Sequence, residues 1–260
     1  MKEFITISSR DNPVIKQINA LKSSADKRKK EGLFVIEGLR QCEDAFDNNV
    51  HIVRLIVTKE AYSKHTDIIS KFGEKSDICN IVQSSLMDKI SDTKSPQGII
   101  MIVRIPEKFD DIKSGEKRYI ALENIQDPSN LGAITRTAEA LGFGGIILSS
   151  GGCDPYNPKA LRASMGTLLR MPLFITDDIA DFCLSKGLNL VACVVDNTAE
   201  DIKNHKFSKT DVVLIGNEAN GIKDETLKKC KTKVTIKMTG SAESLNAAAA
   251  AAIAMWESIR

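Results

Sequence analysis

The stretch of sequence that decides the fold spans residues 123–136 and reads ENIQDPSNLGAITR. Four apolar residues, 119–122, precede it and predict a short strand. Residues 127–130, Asp-Pro-Ser-Asn, have the composition of a turn. From 131 to 141 the apolar residues recur at helical spacing, and Gly142 provides a stop signal. The sequence therefore predicts a strand, a turn and a helix in close succession.

Asn130 and Arg136 give the start of this helix a chemistry suited to phosphate. Asn130 falls where the helix is predicted to begin, and Arg136 follows less than two turns later. The free N–H groups at a helix N-terminus favour anions, and the planar guanidinium of arginine offers several donors to a phosphate group. The same residues also fit an N-capped helix that carries a solvated arginine, so this stretch alone leaves both interpretations open.

Two later segments repeat the order of strand, polar turn and helix. The apolar run 211–215 leads into the turn GNEANG at 216–221. Residues 236–246, IKMTGSAESLN, follow another predicted strand and open an alanine-rich helix over 244–259. Open α/β sheets bind their ligands beyond the carboxyl ends of the strands, at such turns. Three turns of this kind in one half of the chain predict a single convergent site.

The three segments together resemble the SpoU (TrmH-type) branch of the SPOUT RNA methyltransferases. The stretches similar to the family's three motifs are Asn124 with Asn130-x-Gly132-x-x-x-Arg136, then Gly216-Asn217-Glu218-x-x-Gly221, then Ile236-x-Met238-x-Gly240-x-x-x-Ser244-Leu245-Asn246. They occur in the family's order and spacing across residues 118–260. Lys237 stands where the family often has proline, and this position shapes the turn rather than the chemistry.

The resemblance implies both a fold and a reaction for residues 118–260. The fold is an α/β domain whose parallel sheet is tied in a trefoil knot, a feature that neither periodicity nor spacing reveals. The reaction is the transfer of a methyl group from S-adenosylmethionine to a ribose 2′-hydroxyl of RNA. The implied cofactor-binding residues are Gly216, Ile236, Met238 and Leu245. The resemblance also implies a homodimer formed through this catalytic domain.

The resemblance further implies five catalytic residues, namely Asn130, Arg136, Glu218, Ser244 and Asn246. Because arginine is essentially always protonated, we expect Arg136 to stabilise the developing alkoxide and to orient a phosphate. Asn130 and Asn246 could bind the ribose or orient Arg136. Glu218 could pair with Arg136 or Asn246, and Ser244 could hold the cofactor or nucleotide. Without the resemblance, Glu218 would be a turn carboxylate and Ser244 a helix N-cap.

The chain is predicted to divide near residues 106–117, a polar segment with Pro and Gly that is typical of a linker. The strands predicted before it are 33–36, 53–57, 78–82 and 99–103, and the helices are 38–47, 59–72 and 84–90. This alternation predicts a small α/β domain over residues 1–105. Its layout resembles the ribosomal-protein-like substrate-binding domain that precedes the catalytic domain in many SpoU proteins.

Charge is unevenly distributed along the chain. The net charge is only +2, but residues 1–40 hold nine Lys or Arg against five acids. Lys27, Arg28, Lys29 and Lys30 are consecutive and form a candidate RNA-binding cluster. A solvated helix end is the alternative, since cations near a helix C-terminus are favourable.

The last predicted helix carries apolar residues along one face. Leu245, Ala249, Ala252 and Trp256 share this face. Packing in the core and participation in the dimer interface both fit this pattern. The helix is too short and too rich in alanine for a membrane span.

Composition excludes several classes of protein. No apolar run approaches the length of a membrane span, and the first ten residues lack the apolar region of a secretory signal. The six cysteines form no CxxC pair, which argues against a zinc site or a disulfide framework and predicts a reducing cytoplasm. A P-loop is absent, and the glycines at 142–145 follow a helix, so a conventional dinucleotide site is disfavoured.

The sequence therefore predicts a two-domain α/β enzyme, an S-adenosylmethionine-dependent RNA (ribose-2′-O-)-methyltransferase acting on 23S ribosomal RNA in the cytoplasm. Transfer RNA is the alternative substrate. A catalytically silent RNA-binding assembly factor is the alternative class, and the intact set of catalytic residue types speaks against it. No metal and no membrane partner are expected.

Overall fold

The computed structural model describes residues 2–106 and 111–260. The chain forms two compact units, one of Met1–Glu107 with Tyr156–Arg162 and the other of Lys108–Pro155 with Ala163–Arg260. The short segment Tyr156–Arg162 groups with the first unit, which the sequence patterns did not predict. Residues 107–110 of the predicted linker lie outside the described residues, and 111–117 contain neither helix nor strand.

The first unit contains a mixed five-stranded sheet. Its strands are β1 Phe4–Ile7, β2 Leu33–Glu37, β3 Ile52–Thr58, β4 Ser76–Val82 and β5 Ile99–Arg104, and its helices are α1 Pro13–Ser23, α2 Ala25–Glu31, α3 Leu39–Asp47, α4 Lys59–Lys64, α5 Thr66–Lys75 and α6 Ser84–Ile90. The sheet order is β1-β4-β3-β5-β2, with β5 antiparallel to both of its neighbours. All four predicted strands are present, whereas the predicted helix 59–72 is divided at His65 into α4 and α5.

One hydrophobic core joins this sheet to α1 and α6. α1 contributes apolar residues at helical spacing, as an amphipathic helix on a sheet must. The main members of the core are Ile15, Ile18, Leu21, Leu86, Met87, Ile90, Val35, Ile56, Ile100 and Ile102. Because both helices and three strands supply these residues, the first unit has its own packed interior.

The second unit contains a seven-stranded sheet. Its strands are β6 Tyr119–Leu122, β7 Gly145–Ser149, β8 Leu173–Thr176, β9 Asn189–Cys193, β10 Glu200–Asp201, β11 Asp211–Ile215 and β12 Thr232–Thr235, and the helices of this part of the chain are α7 Pro128–Ala140, α8 Pro158–Ser164, α9 Ile179–Ser185, α10 Asp224–Lys229 and α11 Ala247–Ile259. The sheet order is β10-β12-β9-β11-β6-β7-β8, and all described pairings are parallel.

The central strand of this sheet, β11, is fully buried. It lies between β9 and β6, and all five of its residues, DVVLI, are buried. A continuous apolar run is expected of a strand that is covered on both faces. The predicted α/β class with a parallel C-terminal sheet is thereby confirmed.

The start of α7 differs from the prediction. The helix begins at Pro128, so residues 127–130 are its cap and first turn rather than a separate loop. Asp127 is the N-cap because its Oδ1 accepts the N–H of Ser129 at 2.9 Å, and proline at the first helical position has no N–H to lose. Asn130 therefore lies within the first turn of α7 and not at its cap.

The start of α11 also differs from the prediction. The helix begins at Ala247, and Asn246 is its N-cap. The Oδ1 of Asn246 accepts the N–H groups of Ala248 at 2.9 Å and Ala249 at 3.3 Å. Ser244 lies two residues before the cap, so it is not the helix N-cap that its residue type suggested.

Candidate active site

A cavity of about 700 Å³ opens beside the carboxyl ends of β9, β11 and β12. Two turns form most of its wall, one after β11 and one after β12. The predicted site residues among those that line it are Gly216, Ile236, Met238, Leu245, Glu218, Ser244 and Asn246. Asn130 and Arg136 are not in this lining. The structure thus brings two of the three predicted turns to one cavity, as the rule for open α/β sheets anticipates.

Gly216 makes the wall of this cavity out of main chain. A Cβ atom at this position would lie 2.3 Å from the carbonyl carbon of Gly221, so no larger residue fits without moving the backbone. The two segments come this close because Asn217 and Gly221 exchange N–H···O hydrogen bonds of 2.9 Å. Residues 216–222 therefore present a compact main-chain cradle.

The cavity has an apolar side suited to an aromatic ring. Ile236, Met238 and Leu245 lie on it together with Cys193 at the end of β9. Burial raises the pKa of the Cys193 thiol to about 11, so this thiol is protonated at neutral pH and acts as a small apolar group. Main-chain groups beside apolar walls fit a ligand that combines an adenine ring with polar substituents.

A chain of three side chains connects the three predicted turns. Asn130 donates from Nδ2 to Oε1 of Glu218 at 2.8 Å. Asn246 donates from its own Nδ2 to Oδ1 of Asn130 at 3.0 Å. Asn130 is buried. The NH2 and the C=O of its side-chain amide therefore both have protein partners where water is excluded. Asn130 therefore links the α7 turn to both turns of the cavity.

The carboxylate of Glu218 is further held by main chain. Oε2 accepts the N–H of Gln126 at 3.1 Å and Oε1 accepts the N–H of Asp127 at 3.2 Å. Burial raises the pKa of Glu218, but the hydrogen bonds from Asn130 and from these amides outweigh it, so the pKa is below the ordinary range of glutamic acid. Glu218 is therefore ionised at neutral pH and orients the amide of Asn130.

Asn124 is a structural member of the site that sequence reasoning left without a role. It has φ +55°, a conformation that asparagine tolerates better than most residues. Its carbonyl accepts from Nδ2 of Asn217 at 2.8 Å, and its Oδ1 accepts from the hydroxyl of Ser149 at 2.9 Å. An asparagine two residues after the end of a predicted strand is the signal that could have indicated this turn.

Arg136 lies apart from this network in the single chain. Its side chain is exposed, and no hydrogen bond or ion pair among residues 2–106 and 111–260 includes its guanidinium. It is six residues beyond Asn130 on α7, roughly 9 Å along the helix axis. The predicted pairing of Glu218 with Arg136 is not present, because Asn130 and two amides occupy the carboxylate.

The predicted basic cluster in α2 contains one buried residue. Arg28 is 2% exposed, and its Nη1 donates to the carbonyl oxygens of Leu21 at 2.5 Å and Lys22 at 3.1 Å. These carbonyls belong to the last turn of α1, which the guanidinium caps. Arg28 is therefore corrected from an RNA-binding candidate to a structural residue, because its donors face the interior.

The three lysines of the cluster remain at the surface. Lys29 and Lys30 are exposed, and Lys27 forms an ion pair of 2.6 Å with Glu31 one turn later. Gly32 ends the helix in the left-handed conformation. Lys29 and Lys30 thus lie in the last turn of α2, where the helix dipole also favours them.

The apolar face predicted on the last helix is exposed in the single chain. On α11, Trp256 is 54% exposed, and Ile253 and Ile259 are also exposed; Leu245, which precedes the helix, is 37% exposed. The buried residues of α11 are Ala247, Ala251, Ala254, Met255 and Ser258. The prediction that this face packs in the core is therefore wrong. The opposite, alanine-rich face of α11 packs against the rest of the second unit.

The described residues offer neither a metal cluster nor a membrane span. Over residues 2–106 and 111–260, no group of His, Cys, Asp and Glu is arranged to hold a metal ion, and the cysteines are free. No helix in these ranges is both long and apolar enough to cross a bilayer.

Comparison with protein families decides the assignment. A model of the SpoU rRNA methylase family matches residues 117–256, more than half of the chain. The chain belongs to the SpoU rRNA methylase family. A model of the MRM3-like substrate binding domain matches residues 12–101. The predicted family is thereby confirmed, and so is the order of a substrate-binding domain followed by a SpoU domain.

Curated relatives are similar over nearly their full length. The 23S rRNA (guanosine(2553)-2′-O)-methyltransferase RlmP of Bacillus subtilis is 27% identical, over 96% of this chain and 97% of the relative. The 23S rRNA (uridine(2479)-2′-O)-methyltransferase of Streptomyces viridochromogenes is 28% identical, over 98% of this chain and 91% of the relative. The two relatives modify different nucleotides, although this chain is equally similar to both.

The solved structures include a similar fold with cofactor bound. The AdoMet-bound rRNA methyltransferase of Sinorhizobium meliloti superposes with a TM-score of 0.86 at 28% identity, and the alignment covers 97% of this chain and 96% of that one. Together with the family assignment, this confirms the predicted enzyme class, an RNA methyltransferase that uses S-adenosylmethionine.

Proposed function

We propose that this SpoU protein methylates a ribose 2′-hydroxyl of 23S ribosomal RNA. The observation that carries the proposal is the chain Glu218–Asn130–Asn246, which connects all three motif turns beside the cavity. Both 2′-O-methyltransferase relatives act on 23S rRNA. The family's chemistry needs such a preorganised set of donors and acceptors next to the methyl donor.

Residues 216–222, hereafter the cofactor loop, and the apolar wall are the groups that would hold S-adenosylmethionine. When bound, the cofactor supplies a methyl group carried on a sulfonium sulfur, which is a good leaving group because it departs as a neutral thioether. The residues proposed to hold it are Gly216, Ile236, Met238 and Leu245. Ser244 lies in the same wall and could bind either the cofactor or the nucleotide.

Asn130 and Asn246 are proposed to position the reacting ribose. Glu218 fixes the amide of Asn130, and Asn130 in turn accepts from Asn246. Because these amides are already fixed, less conformational entropy is lost when they align the 2′-hydroxyl for reaction. None of the three is a strong base, so their part is orientation rather than proton removal.

Arg136 is proposed to act on the RNA rather than on the cofactor. Its guanidinium is exposed, without a partner among the described residues, and available to a phosphate or to the developing alkoxide. Arg136 lies well along α7 from Asn130. The reacting ribose must therefore be brought to Arg136 by the RNA or by a second copy of the chain.

Residues 1–105 are proposed to bind the RNA substrate and residues 118–260 to catalyse transfer, with 106–117 as the linker. The match to the MRM3-like substrate binding domain supports the first assignment. Lys27, Lys29 and Lys30 are the proposed phosphate contacts of this domain, since they are grouped on α2 and reach its surface.

A homodimer through the catalytic domain, a trefoil knot in that domain and a cytoplasmic location complete the proposal. The exposed apolar side chains of α11 support the dimer, because several large apolar residues exposed on one helix are typical of an interface. The knot rests on membership in the family, and the location rests on the substrate.

The test is to map 2′-O-methyl groups in ribosomal and transfer RNA from a deletion strain and to restore them with purified protein and labelled cofactor. We expect loss of one 23S rRNA modification and its recovery in vitro. Gly216→Ala is the matched inactive control, since the added methyl disrupts the cradle. If the lost modification is in transfer RNA, then transfer RNA is the substrate. If no modification is lost in either RNA, the result favours the catalytically silent assembly factor.

A further inference from the structure

Glu123 is a buried carboxylate that the proposed chemistry does not use. It follows β6 and is 5% exposed. Burying a carboxylate is unfavourable unless its oxygens are hydrogen-bonded. Oε2 accepts the N–H of Lys223 at 2.8 Å, and Oε1 accepts the hydroxyl of Thr226 at 2.6 Å. Both partners come from the segment that follows the cofactor loop.

The main chain of Glu123 also holds the other end of that loop. Its N–H donates to the carbonyl of Ile215 at 2.8 Å, directly before Gly216. One residue therefore binds the chain immediately before the cofactor loop and immediately after it. A loop whose two ends are fixed to one residue has few conformations left, so its shape is preorganised.

The loop fixed in this way is the polar wall of the cavity. Its residues 216–222 all line the cavity, and the mutual hydrogen bonds of Asn217 and Gly221 set its internal shape. Thr226 lies on α10, whose N-cap residue, Lys223, provides no side-chain cap. Glu123 supplies that cap from another part of the chain.

We propose that Glu123 is a positioning residue for S-adenosylmethionine, which sets the shape of the cofactor loop through Lys223 and Thr226. The inference rests on the proposed binding of the cofactor in this cavity. Its direct consequence is that cofactor affinity depends on the reach of the Glu123 side chain more than on its charge, since the amide of glutamine can accept the N–H of Lys223 through its oxygen and donate from its nitrogen to the hydroxyl of Thr226.

The experiment measures cofactor affinity by calorimetry, per folded protein, in the full chain. We expect Glu123→Ala to weaken affinity about tenfold or more, the scale of a lost hydrogen bond to a charged group. Glu123→Asp keeps the charge but is too short, and it should also weaken affinity. Glu123→Gln should bind within about threefold of wild type, because its amide oxygen can accept the N–H of Lys223 and its amide nitrogen can donate to the hydroxyl of Thr226.

Asp211 provides the matched control. It is a carboxylate buried to 2% exposure at the start of β11, where it accepts from Ser208 and Lys231, away from the cavity. Asp211→Ala should lower the stability of the protein and leave cofactor affinity unchanged. If Glu123→Ala and Asp211→Ala behave alike, Glu123 is only a structural residue.

Hydrogen exchange in the protein without cofactor gives a second readout. The amides of Asn217 and Gly221 should exchange faster in Glu123→Ala and Glu123→Asp, but not in Glu123→Gln or Asp211→Ala. Unchanged exchange together with unchanged affinity in Glu123→Ala would overturn the inference. Failure of the wild type to bind S-adenosylmethionine, with or without RNA, would instead overturn the proposed function, and the exchange data would still decide whether Glu123 fixes the loop.

Discussion

Arg136 allows a single-residue test of where catalysis occurs. The side chain is exposed and not in the cavity lining, so cofactor affinity should not depend on it. We expect Arg136→Ala and Arg136→Lys both to lose methyl transfer by about 100-fold or more, the scale seen when one preorganised electrostatic donor is removed. Lysine keeps the charge but loses the planar set of donors.

Single-turnover kinetics at saturating RNA measure this loss apart from binding. Arg118→Ala is a suitable control, since Arg118 donates to the carbonyl of Ser208 and lies outside the cavity lining. Near-normal turnover in Arg136→Ala would show that the guanidinium has no part in the transition state.

Glu218 makes a prediction about pH. Its hydrogen bonds hold the pKa below the ordinary range, so the stabilisation that its ionised form provides is present at neutral pH and is lost as the pH falls through this lowered pKa. Asn130→Ala removes one of these bonds. We expect the pKa of Glu218 to rise in this variant, so that this stabilisation is smaller and its loss is complete at a higher pH.

Carbon-detected NMR titration of the side-chain carboxyl groups can follow this change. Asp196, whose pKa is lowered by its own hydrogen bonds to Thr198, should titrate unchanged and serves as an internal control. An unaltered Glu218 titration in Asn130→Ala would mean that the main-chain donors alone hold the carboxylate.

At the scale of elements, substitutions in α2 test RNA binding and stability separately. Replacing Lys27, Lys29 and Lys30 by alanine should weaken RNA binding and flatten its salt dependence. For three lost phosphate contacts, the slope of log affinity against log salt should fall by about 2 to 3. Cofactor affinity should not change. Filter binding across a salt series measures both quantities, and an unchanged slope would identify these lysines as a solvated helix end.

Arg28→Ala should behave in the opposite way. Its loss leaves the carbonyls of Leu21 and Lys22 without their buried donor, which should lower the free energy of unfolding by about 1–3 kcal/mol. The salt slope of RNA binding should remain that of wild type. Chemical denaturation of the full chain checks the first expectation, and a reduced salt slope in Arg28→Ala would contradict the structural role.

At the scale of the whole molecule, the exposed face of α11 predicts the oligomeric state. Trp256→Glu should weaken self-association by roughly 30-fold or more, because a central tryptophan commonly contributes about 2 kcal/mol or more to an interface. Sedimentation velocity over a concentration series measures this change. Ile5→Glu, at another exposed apolar position in the first unit, is the control. A wild-type monomer at all concentrations would contradict the dimer.

The sequence by itself predicted the α/β class, four of the five strands in the first unit, the strands that precede the three motif turns, and the turns themselves. β11 shows why: four consecutive apolar residues, 212–215, followed by Gly-Asn-Glu can be read without knowing the partner strands. Helix starts were less accurate. Asp127, Ser129 and Asn246 are all suitable caps by residue type, and the hydrogen bond actually formed depends on backbone geometry that short-range patterns do not encode.

Only the tertiary structure decided which residues meet. Glu123 and Thr226 are more than one hundred positions apart, and Asn130 and Asn246 are farther still, so no local pattern could indicate that they share hydrogen bonds. Arg28 lies in the same basic run of sequence as Lys27 and Lys29. Its position on α2 nevertheless turns its side chain toward the carbonyls of α1. Periodicity and turn chemistry are local properties of the chain and can be read in sequence. Burial and hydrogen-bond partnership arise from packing between distant segments, and for that reason they appear only in the folded molecule.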